Sequence, residues 1–122
     1  LAYGCFKLFV RWVYRHENVY PKYDGPMGVP KVWEYMKKYH IVFRAGNPNY
    51  TIKPGDMMMT NGSGHYDGKS HIGIVIEVLD GGQKVRTVEG NNGDSVSSEV
   101  RTVGTGYTNG LADAFWFGRM SY

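Results

Sequence analysis

The chain has a single cysteine, and that scarcity excludes two architectures at once. One thiol forms no internal disulfide and builds no cysteine-rich metal site, and it leaves the redox compartment undecided. Long apolar runs are missing too: nothing approaches the ~20 residues that cross a bilayer, and Leu8 to Val13 is broken by Arg11. No membrane insertion is expected. The start shows no succession of charged, apolar and small residues of the kind that marks a signal peptide. With Leu1 four residues ahead of Cys5, the chain reads as an excised piece of a longer protein with additional domains. Charge of one sign is nowhere concentrated. The formal net charge of +3 comes from scattered side chains, Lys37-Lys38 being the only basic doublet, so there is no basic stripe or reading motif and no nucleic-acid partner is expected. Internal repeats and low-complexity tracts are absent as well.

What is present fits one globular domain over residues 1–122, long enough to bury a core and too short for two. Glycine is frequent, at 17 residues, and aromatic residues reach 15%, enough rings for packing with some left for a carbohydrate-contacting rim. The mild basic balance, with a pI near 9.0, suits attraction to a polyanionic surface such as a bacterial wall.

Cys5 to His16 has the apolar spacing of a helix through Phe6, Phe9, Val10 and Val13, with Cys5 in its first turn. Glu17 to Val29 is rich in turn residues. Pro30 opens a second helix, which carries Val32, Trp33, Met36 and Tyr39 on its apolar side and ends near His40. Ile41 to Ala45 reads as a short extended segment, and the Pro54-Gly55-Asp56 turn feeds a buried strand through Met57, Met58 and Met59, methionines that fill core rather than bind a ligand. Asn61 to Ser70 is a glycine-rich loop. Lys69 to Val78 and Lys84 to Asn91 then flank Asp80-Gly81-Gly82 as a β-hairpin. Ser95 to Val103 alternates as a further strand, Gly104 to Asn109 reads as loop, and Ala112 to Arg119 as the last strand. Helices followed by an antiparallel sheet of about five or six strands make an α+β fold.

If Asp80 to Gly82 form the hairpin loop, residue 79 faces 83, and counting outward sets His71 opposite Asn91 and diagonal to Glu89, all on one face. A one-residue slip would separate them. A cysteine is nucleophilic as thiolate, and a helix N-terminus lowers its pKa; Cys5 is placed for that. A histidine in reach exchanges the proton, and a third group fixes its ring. His71 with Glu89 or Asn91 answers to that description. The backbone N–H of Cys5 is one donor for an oxyanion hole, while Gly4, just upstream, brings no side chain for a second. His65 is the competing base, but His71 leads the paired strand; His16 and His40 fall at helix ends and are read as structural.

The segment Gly4 to Val13, the Lys53-Pro54-Gly55-Asp56 turn, Ser70-His71-Ile72-Gly73-Ile74-Val75 and Val88-Glu89-Gly90-Asn91 together resemble, in order, the motifs of the CHAP domain. These are the cysteine, histidine-dependent amidohydrolases/peptidases, papain-like enzymes that cut bacterial peptidoglycan. The resemblance implies Cys5 as nucleophile, His71 as base, Glu89 as orienting acid and Asn91 as supporting polar group; Tyr66 and His65, in the glycine-rich loop, are read separately as lining the substrate side. It implies an N-acetylmuramoyl-L-alanine amidase or an endopeptidase that passes through a thioester, with peptidoglycan as partner, and a secreted, wall-associated or phage-virion setting. Some members bind calcium through an acidic loop ahead of the cysteine; that stretch is absent here, so no metal and no cofactor is assigned. Two other readings remain: a non-catalytic wall- or glycan-binding module of the same fold that uses its rings, and a thiol-hydrolase toxin that keeps the chemistry and acts on another, cytoplasmic amide or thioester.

Overall fold

The computed structural model describes residues 29–61, 69–90 and 96–121. The expected Cys5–His16 helix lies outside them. The described elements begin with helix α1 (Val29–Tyr39) and strand β1 (Ile41–Arg44), then β2 (Met57–Asn61) and β3 (Lys69–Leu79). After a 3-10 turn at Asp80–Gly82 come β4 (Lys84–Gly90) and β5 (Val96–Thr102). A two-residue pair, β6 (Tyr107–Thr108) and β7 (Leu111–Ala112), precedes the final strand β8 (Ala114–Arg119). The six main strands form one sheet in the order β1-β8-β2-β3-β4-β5, every neighbour antiparallel. This is an α+β arrangement, mostly antiparallel sheet with one helix among the described residues.

Helix α1 follows from its sequence: Pro30 sits in the first turn, where its missing N–H costs nothing, and Lys37 and Lys38 occupy the last turn, where a cation suits the helix dipole. It packs Val32, Tyr35 and Met36 against Met57, Met59 and Ile72 on one side of the sheet. Tyr39 departs from the expected apolar side. It is half exposed, its ring against that of Tyr35 and beneath the Lys38 ammonium rather than on the sheet.

Strand alternation sends Met58 the other way, into a second cluster with Phe43, Val75, Val85, Ala114 and Phe117. All three methionines of β2 are fully buried, as a central strand covered on both sides requires. Asp56 ties the turn before β2 to β8. It accepts from the Lys53 N–H and from Nε and Nη2 of Arg119.

Residues 104–109, expected as loop, hold β6 instead. Asn109 (φ 52°) and Gly110 (φ 81°) are both left-handed, the pairing that closes a two-residue hairpin. Among the described residues no helix is long and apolar enough to cross a membrane.

Candidate active site

His71 stands in β3 and Glu89 in β4, so the register of that hairpin decides whether they meet. The expected turn set residue 79 opposite 83. The structure pairs Leu79 with Lys84, because Gln83 joins the turn and its N–H bonds the Asp80 carbonyl at 3.2 Å. Carried along the strand, that offset would put His71 on the wrong face. A β-bulge removes it. Glu77 pairs with Arg86 and Val75 with Thr87, leaving Ile76 as the extra residue, half exposed on the outside of the bend. From Val75 onward the register is the expected one, Gly73 pairs with Glu89, and His71 is diagonal to it on the same face.

The side chains meet there. His71 Nε2 and Glu89 Oε1 are 2.7 Å apart, and both residues are largely shielded from water. Gly73 makes the contact possible: a Cβ there would lie 2.7 Å from Glu89 Cγ and 3.1 Å from both Met58 Cε and the Val88 carbonyl. Glu89 leans across the strand through the space that a side chain at 73 would fill.

Three further donors hold the same carboxylate. Arg101, on β5, donates from Nη2 to Oε1 at 2.7 Å and from Nε to Oε2 at 2.6 Å, and Thr87 Oγ1 donates to Oε2 at 2.6 Å. Burial alone pushes the Glu89 carboxyl up. The hydrogen bonds from Arg101, His71 and Thr87 outweigh it and hold the group at about 2, against an ordinary 4.5. An ionised carboxylate only accepts, so the ring proton of a neutral His71 belongs on Nε2, and Nδ1 is the atom of the ring that takes a proton.

The site therefore contains a carboxylate–imidazole pair competent as a general base, with its tautomer set by its acid. Cys5, Asn91, His65 and Tyr66 lie outside the described residues. His40, read as structural, follows α1 and accepts the Ser121 N–H at Nδ1. Arg101 and Thr87 were not among the residues singled out from the sequence. The signal for Arg101 was parity: it pairs with Val85, a buried residue, and so faces inward. Among the described residues no group of three or more His, Cys, Asp or Glu side chains is placed to hold a metal ion.

No curated protein and no solved structure matches the chain. The family model described as CHAP domain matches residues 1–91, a span that contains Cys5, the hairpin and both members of the acid–imidazole pair. The chain belongs to the CHAP domain family, whose type of chemistry is that of peptidoglycan-hydrolysing amidases and peptidases.

Proposed function

We propose that this domain cleaves an amide bond of peptidoglycan, in the stem peptide or cross-bridge, through a thioester on Cys5. The observation that carries the reading is the 2.7 Å contact of His71 with Glu89 inside a CHAP domain. In this scheme His71 Nδ1 takes the thiol proton and the Cys5 thiolate attacks the scissile carbonyl carbon. The imidazolium is stabilised through Nε2–H by Glu89. It returns the proton to the leaving amine as the C–N bond breaks, and water, deprotonated by the same ring, then hydrolyses the thioester. Asn91 supports the ring, Tyr66 and His65 line the substrate side, and the fold is papain-like, with Cys5 at the start of a helix. The setting is the bacterial wall, reached by secretion or on a phage virion.

The test is clearing of purified cell walls by the wild type, by Cys5→Ala and by iodoacetamide-treated protein. Loss of clearing in both treated forms supports the thiol mechanism; clearing that survives them removes it. Wall binding without clearing by the wild type would favour a non-catalytic module. Mass spectrometry of the released fragments separates an amidase from an endopeptidase by the new termini each leaves.

A further inference from the structure

We propose that Arg101 is a positioning residue of this site, whose guanidinium clamps the Glu89 carboxylate and so fixes the direction in which Glu89 holds the His71 ring. The inference deepens the reading above and rests on it for the role of His71. Arg101 lies beyond the residues that match the family model, on the strand that borders β4.

The geometry is that of a fork. Nε and Nη2 each engage a different oxygen of Glu89, and Nη1 donates to the Ala112 carbonyl at 2.7 Å, which anchors the guanidinium plane to β7. Oε1 then serves His71 and Arg101, while Oε2 serves Thr87 and Arg101. Turning the carboxylate about its last bond breaks contacts on both oxygens at once. With Thr87 alone opposite His71 the group could twist, and a twisted carboxylate no longer points a lone pair at Nε2. The ion pair is nearly out of water, with side-chain exposures of 8% for Arg101 and 3% for Glu89, so solvent does little to loosen it. An ion pair that served only to join strands would need no imidazole on one of its oxygens.

Arg101→Lys is the discriminating variant, since it keeps the charge and loses the planar fork. The expected result is a fall in kcat for wall cleavage of roughly 10²-fold with KM within about twofold, the pattern of a misaimed catalytic group. In the nitrogen NMR spectrum the neutral His71 ring should pass from the Nε2–H form to a mixture of tautomers. A variant that melts lower but keeps both kcat per folded molecule and the tautomer of the wild type would overturn the proposal. The wild type itself supplies a readout that needs no variant: a clamped Arg101 shows a solvent-protected Nε–H and distinct Nη signals, and exchange as fast as that of an exposed arginine would refute the clamp. The tautomer does not depend on turnover. If the wild type fails to clear walls while the Arg101→Lys spectrum still changes, the assigned reaction is wrong and the clamp stands.

Discussion

Four hydrogen bonds on one buried carboxylate make Glu89 a pH-sensitive support of the fold as well as part of the site. Its folded pKa, about 2, lies below its ordinary 4.5. The stability it contributes is therefore complete above about pH 4.5 and drains away as pH falls toward 2, a swing of about 3 kcal/mol by linkage. Denaturant titrations from neutral pH down to pH 2 should show that loss in the wild type and not in Glu89→Gln, which has no proton to gain. Gly73→Ala tests the space beside it. The added methyl must displace Glu89 Cγ or the strand, costing roughly 1–3 kcal/mol and lowering activity more than the melting shift explains. The sequence showed His71 and Glu89 because imidazole and carboxylate on facing strands are a chemical signal. Arg101 was less visible, since an arginine in an alternating strand is ordinarily on the wet side, and only its pairing with Val85 betrays that it points inward.

Within the β3–β4 hairpin, two deviations of one residue cancel: a turn longer than expected and a bulge at Ile76. The register at His71 was thus readable from the sequence although the register at the turn was not, for the bulge depends on how the bent strand packs and has no local composition signal. Deletions distinguish the two halves. Removing Ile76 leaves Glu77 opposite Arg86 and Val75 opposite Thr87, so the wall-clearing proposed above should largely survive. Removing Ile74 should move His71 and Gly73 to the face of α1 and abolish it. Circular dichroism of each deletion separates loss of register from loss of fold. Helix α1 was legible from Pro30 and its apolar spacing; the β6–β7 pair was missed even though Asn109-Gly110 is a hairpin signal, because its two-residue strands are too short to show a period.

Across the whole molecule the sheet is stitched by its last strand. β8 lies between β1 and β2, which have no pairing with each other, and fills both sides of the sheet with Trp116 and Phe117. A chain lacking residues 104–122 should show no cooperative urea transition where the full chain, a single small domain, is expected to show one, even though it keeps the whole span that matches the family. The order of strands was not legible in the sequence, since insertion of β8 depends on pairings between distant segments. Ile41 pairs with Arg119, across most of the described chain. Such separation slows folding, because loop entropy must be spent before the contact returns anything. The β3–β4 ribbon, closed by a short turn, can form on the microsecond scale typical of hairpins, so His71 and Glu89 can find each other long before β8 arrives. Assembly of the domain is then expected to be limited by the entry of that one strand into a half-built sheet, with the open edge of β2 and its Met58 uncovered in the interval and open to misassociation with other chains.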